Sequence, residues 1–310
     1  MKPENRRKAL KKMAAGSALA AAWPLANAIG ANTIGATPVR ATPVRATPVS
    51  AVPARAETTF RHSVCRWTYG NMRLHKLCEE VKAMGAHAID LVGPDDWGTL
   101  KEHGLDSSMC NGAELNLTDG WCDVNYHADL VKNYRDMIPR VAEAGYTNLI
   151  CFSGNRRGMS EEEGLQHAVN GLMEVLPLAE QYGVVLQMEL LNSKVDHEDY
   201  MADHTAWGVE LCRRLDTDHF KLLYDIYHMQ IMEGDVIRTI RDSQLYVGHY
   251  HTAGVPGRNE IDQSQELYYP AIIQAINETN FDGYVAQEFI PTADDELGSL
   301  KEAFATCGLS

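Results

Sequence analysis

The 310-residue sequence predicts an α/β chain whose folded part is a single (β/α)8 barrel. Three observations predict it. Short β-rich runs alternate with longer helical patterns about eight times, which implies parallel strands joined by helical crossovers. Gly85, Gly145 and Gly183 stand where helices should stop before the next strand, as a C-terminal cap requires. No glycine-rich GxGxxG turn follows the first strand, which disfavours the main rival, an open doubly wound sheet.

The elements follow in order. FRHSVCRW (60–67) reads as the first strand and LHKLCEEVKAM (74–84) as its helix. HAIDLV (87–92) precedes a helix over Trp97–His103, and LDSSMCN (105–111) precedes a longer one over Asn125–Ala144. TNLICFS (147–153) leads to a helix over 160–182, and VVLQMELL (184–191) to one over 198–214. KLLYD (221–225), LYVGHYH (245–251) and YVAQEF (284–289) are the last strands, with helices over 235–243, 269–279 and 296–307.

The first 57 residues read differently. NRRKALKK precedes a short Ala-rich apolar stretch and then Ala26-Asn27-Ala28, the small-x-small form of a signal-peptidase site. With Arg6-Arg7, residues 1–28 resemble a twin-arginine export signal, which would place the protein in the periplasm, or leave it cytoplasmic if the signal does not function. Residues 29–57 contain the repeat ATPVR-ATPVR-ATPVS-AVPAR. A proline in every unit forbids a helix, so this stretch is expected to be a semi-rigid linker. The barrel domain then spans 58–310, about 250 residues, the usual size for the fold.

Charge narrows the partners. The net charge is −14, and the basic first 56 residues carry +8, which leaves −22 for the rest. So acidic a domain opposes a nucleic-acid backbone as partner. No run of about 18 apolar residues suggests a membrane span. Seven cysteines lie at 65, 78, 110, 122, 151, 212 and 307 without a CxxC pair, and no essential disulfide is expected. A homo-oligomer is compatible with this composition.

In such a barrel the active site lies at the C-terminal strand ends. The last polar residues of the four final strands are Glu189, Asp225, His251 and Glu288. Singly, each has a bland reading, as the N-cap of the next helix or a core histidine. Together, three carboxylates and an imidazole at one rim call for a divalent metal ion, Mg²⁺, Mn²⁺ or Co²⁺ rather than a thiol-loving one. His228, three residues after Asp225, is a candidate to contact a substrate hydroxyl or carbonyl. The Pro256-Gly257 turn would present Arg258, whose planar fork suits a carboxylate. Of the tryptophans Trp67, Trp97, Trp121 and Trp207, only Trp67 sits at a strand end, so core packing is expected for the others. Glu189 and Glu288 would face each other across the rim and move a proton between adjacent carbons of an α-hydroxycarbonyl compound through an enediolate.

CRWTYG, IDLVGPDDW, MELLNSKVDH, YDIYHMQIMEGD, HYHTAGVPGRNEID and YVAQEF resemble the hydroxypyruvate isomerase family, within the sugar isomerase/epimerase barrel superfamily. The resemblance runs from about Phe60 to Cys307. It implies a TIM barrel with one divalent metal, and a catalytic glutamate pair matched by Glu189 and Glu288. Asp225 and His251 match the other metal positions of the related epimerases, and His228 and Arg258 match substrate contacts. Typical cytosolic hydroxypyruvate isomerases carry Gln where His251 stands, so here the chain is nearer the epimerases. The reading that results is a metal-dependent aldose–ketose isomerase converting hydroxypyruvate to tartronate semialdehyde. The alternative is an epimerase or isomerase of an unphosphorylated or oxidised sugar outside the cytoplasm. A catalytically silent sugar-binding barrel and a DNA-repair nuclease rank behind both.

Overall fold

The computed structural model describes residues 58–309; the expected export signal and repeat linker lie outside them. Eight parallel strands close into a barrel in chain order, with β8 pairing back onto β1. They are β1 (Arg61–Cys65), β2 (Ala88–Val92), β3 (Asp106–Cys110), β4 (Asn148–Cys151), β5 (Val185–Glu189), β6 (Phe220–Asp225), β7 (Val247–Thr252) and β8 (Tyr284–Gln287). The α-helices are α1 (Leu74–Ala83), α2 (Trp97–Glu102), α3 (His127–Glu143), α4 (Glu161–Leu172), α5 (Leu176–Tyr182), α6 (Thr205–Leu215), α7 (Ile226–Met232), α8 (Val236–Ser243), α9 (Tyr269–Glu278) and α10 (Glu296–Thr306). No helix among the described residues is long and apolar enough to cross a membrane.

Local chemistry explains most boundaries. Gly85, Gly145 and Gly183 have φ of 86°, 85° and 70°, a left-handed turn that ends each helix without a Cβ clash. Ser160 caps α4 by accepting from the Glu163 amide, and Glu161, Glu162 and Glu163 fill its positively polarised first turn. The helix expected over 160–182 is two, interrupted at Met173–Val175, with Pro177 in the first turn of α5. The one expected over 198–214 starts only at Thr205, because the preceding residues form a loop that hydrogen-bonds to the one after β4. α7 begins directly after β6, where the sequence reading has no element. Asp225 starts it by accepting from the His228 amide at 3.2 Å.

The apolar core fills the layer between strands and helices. The barrel interior near the C-terminal mouth is instead polar. Cys65 on β1, Asp90 on β2, Ser108 on β3 and His249 and His251 on β7 converge there, all buried. β2 and β7 are not neighbours in the ring, so contacts between Asp90 and the two histidines cross the interior. Two residues apart on one strand, His249 and His251 share a face.

At the other end of β1, His62 is buried between Phe60 and Phe304, with ring centroids 5.0 and 6.0 Å away. Burial, and then His87, push its pKa down from 6.5 to about 4. Between those values the unfolded chain takes up a proton that the folded chain refuses, so stability falls as pH drops from 6.5 to 4. The full loss from this group is about 3 kcal/mol. Urea unfolding of wild type and His62→Phe across this window should show wild type losing stability relative to the variant as pH falls. A pH-independent difference would rule the mechanism out.

Candidate active site

Glu189 ends β5, Asp225 ends β6, His251 lies in β7, and Glu288 is the first residue past β8. Asp225 and His251 are register partners on adjacent strands. The Glu288 amide donates to Thr252 at 2.9 Å, which holds it beside the end of β7. One ligand atom from each of the four lies within 4.8 Å of the others, and all four side chains are buried. His251 Nδ1 stands 2.7 Å from Glu288 Oε2 and 3.1 Å from Glu189 Oε1. The structure thus brings together the four residues named from the sequence.

Asp90 is the member that sequence reasoning missed. Its Oδ1 lies 3.0 Å from His251 Nε2, and its Oδ2 lies 2.9 Å from His249 Nε2 and accepts from Ser108 at 2.5 Å. Cys65 Sγ donates to Oδ1 at 3.5 Å. An ionised carboxylate only accepts, so it keeps a proton on His251 Nε2 and leaves Nδ1 as the nitrogen that faces the four-residue centre. These contacts hold the Asp90 carboxyl well below the usual range, although burial opposes them. The available signal was an acid in the middle of the apolar strand AIDLV.

Arg258 arrives from a turn whose edges pair at Gly254 and Asn259. Its φ of 59° is left-handed, which costs a non-glycine residue about 1–3 kcal/mol. Its guanidinium sits between the rings of Trp67 and Tyr227, 5.2 and 5.4 Å from their centroids. Nη2 donates to Glu288 Oε2 at 2.5 Å and to Asp225 Oδ2 at 3.3 Å. The fork that the sequence offered to a substrate carboxylate is therefore partly engaged by protein carboxylates, while its buried Nε has no protein partner. Trp67, the most exposed of the four tryptophans considered at 44%, donates its indole N–H to Glu288 Oε1 at 2.8 Å and forms one wall of the mouth. Trp97, Trp121 and Trp207 are buried core residues, as expected.

His228, on the first turn of α7, is fully buried. Its Nε2 stands 3.6 Å from Asp225 Oδ2 without a hydrogen-bond partner. A cavity of about 210 Å³ opens over the loops after β3, β4 and β5, lined by residues including Thr118, Asn155, Asp196 and His197. A larger one, about 350 Å³, is lined by Glu260, Asp262, Asp295 and others and shares none of the residues above.

With every carboxylate ionised, the charges of the site do not balance among themselves. Burial and the Glu288 charge push Glu189 upward, and burial pushes Asp225 well above its ordinary range. Against burial, Arg258 and His251 hold Glu288 well below. His251 is raised, burial notwithstanding, chiefly by Glu288. Counting Asp90, four buried carboxylates face two groups held as cations, the Arg258 guanidinium and the His251 imidazole, while burial pushes the pKa of His228 and His249 down. A divalent cation would supply the missing charge, and three carboxylates with one imidazole would suit a metal that accepts oxygen and nitrogen donors. His228 Nε2 and Arg258 Nε are among the buried polar atoms without a protein partner.

The family model for the xylose isomerase-like TIM barrel matches residues 78–304. The chain belongs to that family. Among curated relatives, 2-oxo-tetronate isomerase of Pectobacterium atrosepticum is 24% identical over 204 residues, 64% of this chain and 77% of that protein. Putative hydroxypyruvate isomerase of Homo sapiens is 30% identical over 136 residues, 44% of this chain and 47% of that protein. Apart from the first, the chain spans about half the length of the leading curated relatives it matches. Two solved structures share the fold. AP endonuclease, family 2, from Brucella melitensis has a TM-score of 0.70 at 20% identity, covering 79% of this chain and 96% of that one. D-psicose 3-epimerase from Clostridium cellulolyticum H10 has 0.68 at 16%, covering 80% and 98%. The sequence resemblance to hydroxypyruvate isomerases and sugar epimerases therefore stands.

Asp90→Asn keeps the side-chain shape but removes the charge that orients His251. It should weaken Mn²⁺ or Co²⁺ binding by about 10–100-fold. Competition with a chelator measures this without any substrate, and unchanged affinity would rule out the orienting role.

Proposed function

We propose that this protein is a metal-dependent isomerase of small α-hydroxycarbonyl compounds, with hydroxypyruvate to tartronate semialdehyde as its reaction. The observation that carries this reading is the placement of Glu189 at the end of β5 and Glu288 just past β8, both within hydrogen-bonding distance of His251 Nδ1. Two carboxylates so placed can serve the two ends of a proton shift between adjacent carbons. One removes a proton from the hydroxyl-bearing carbon of the substrate, and the other delivers one to the former carbonyl carbon. The hydroxyl proton passes from one oxygen to the other, so the product is an isomer and nothing is oxidised overall. A divalent ion held by Glu189, Asp225, His251 and Glu288 would supply Lewis-acid stabilisation of the negative charge that develops on those oxygens. Trp67 and Arg258 hold Glu288 from two sides, which fixes its carboxylate plane. His228 Nε2 and Arg258 Nε offer buried N–H groups to substrate oxygens.

One observation favours a second reading, an epimerase of a neutral sugar. Arg258 Nη2 is engaged by Glu288 and Asp225, so the guanidinium has a task that needs no substrate carboxylate. The twin arginines and the Ala26-Asn27-Ala28 site support export, in keeping with a sugar substrate outside the cytoplasm.

The test uses the purified protein, stripped of metal and reloaded with Mg²⁺, Mn²⁺ or Co²⁺, with hydroxypyruvate followed by NMR in D₂O. Metal-dependent formation of tartronate semialdehyde is expected, with Glu288→Gln lowering the rate by about 10²–10⁴. If hydroxypyruvate stays untouched while neutral ketoses exchange a carbon-bound proton, the second reading replaces the first. Arg258→Ala separates the two again. Turnover of either substrate should fall, because Glu288 loses its Arg258 contact, but a carboxylate substrate should lose a further factor that a neutral one does not.

A further inference from the structure

Asn192 follows β5 and is fully buried. Its side-chain orientation is fixed by its own backbone. Oδ1 accepts from the amides of Val195 and Asp196, both at 3.0 Å. An amide nitrogen cannot accept those bonds, so the NH₂ group must point the other way. There it meets Asp196 Oδ2 at 2.5 Å and His228 Nδ1 at 2.6 Å. Asp196 Oδ2 also accepts from Tyr227 at 2.8 Å, which anchors the carboxylate. One N–H of Asn192 is thus committed to Asp196, and the other can only donate to His228 Nδ1. A neutral imidazole that accepts at Nδ1 carries its proton on Nε2. That Nε2 is one of the buried atoms without a protein hydrogen-bond partner, 3.6 Å from Asp225 Oδ2.

We infer that Asn192 is a positioning residue that fixes His228 as an Nε2–H donor aimed at a substrate oxygen, and excludes it as the general base. The inference rests on the proposed proton shift and assigns His228 a role within it. A carboxylate directly on Nδ1 would do the opposite. It would draw the proton to Nδ1 and leave Nε2 as a base. Asp196 is near enough to suggest that arrangement, at 4.0 Å from Nδ1, but the amide is interposed and reverses the polarity. The substrate group that fits an Nε2–H donor is a carbonyl or hydroxyl oxygen gaining negative charge. Proton removal from carbon is thereby left to the glutamates.

Two measurements test this. In resting protein labelled with ¹⁵N-histidine, two-bond correlations report which ring nitrogen carries hydrogen, and comparison with His228→Gln picks the residue out of the 12 histidines. A protonated Nε2 and a bare Nδ1 are expected, reversed in Asn192→Asp. A protonated Nδ1 in wild type overturns the inference, whatever the enzyme's substrate proves to be. The second measurement is epistasis in turnover. Asn192→Asp should cost on the order of 10²-fold or more in kcat. In His228→Gln, whose amide donates and has no tautomer, the added Asn192→Asp should cost only about twofold more. An equal loss in both backgrounds would mean that Asn192 acts through charge or folding and not through the imidazole. Absence of isomerase activity in wild type would overturn the proposed reaction while the NMR result still decides the tautomer.

Discussion

Closing a barrel forces the ends of β5 to β8 and the middle of β2 into one small, water-poor space, and this chain puts acids at most of those points. Burying several carboxylates together is costly unless cations and donors surround them. Here the compensation is arranged in layers. Asp90, at the bottom, is satisfied by His249, His251, Ser108 and Cys65. His251 is the hinge between layers, with Nε2 bound downward to Asp90 and Nδ1 facing Glu189 and Glu288. Arg258 and Trp67 close the top over Glu288. Each buried carboxylate thus depends on partners in the next layer, which is why the layers have to be read as one assembly.

Several residues serve this assembly and the fold together. Asp225 illustrates the economy. One of its carboxylate oxygens starts α7 by accepting from the His228 amide, and the other faces Arg258. The cap reading of an acid after a strand therefore holds here, and the same carboxylate also faces the four-residue centre. The capped turn also brings His228 into the site, since a residue three positions into a helix lies over its N-terminus. Arg258 accepts an unfavourable left-handed backbone for its position between two aromatic rings and two carboxylates. The strain and the ion pairs belong to one device, and neither makes sense alone.

Much of this was legible in the sequence because it is periodic or terminal. Strand–helix alternation, and glycines where helices stop, identify the barrel. Its geometry then says that strand-final Glu189, Asp225, His251 and Glu288 share a rim. What escaped is what depends on contacts across the ring. Asp90 lies mid-strand, and nothing local says that β2 faces β7 at that height. α7 escaped because a helix directly after a strand leaves no loop to read, and the break inside 160–182 because Met173–Val175 keeps the apolar pattern going. Arg258 was placed at the site, but its engagement by two protein carboxylates depends on a loop conformation that no spacing rule encodes.

The division of labour among the site's ionisable groups follows from their neighbours more than from their types. Both His228 and His251 are buried imidazoles on adjoining elements, yet they face opposite ways in hydrogen-bonding terms. His251 has a carboxylate behind it, so its inner nitrogen, Nδ1, is the one that would face a cation in the proposed metal centre. His228 has an amide behind it, so its inner nitrogen is left with a proton for an oxygen. A carboxylate behind His228 would have added a third potential base to a site that already holds Glu189 and Glu288. A base there could draw a proton from a hydroxyl or a carbon that neither glutamate addresses. The amide removes that option while keeping the imidazole in place. In the proposed reaction, control over where the proton goes therefore comes from the choice of Asn at 192 as much as from the two glutamates.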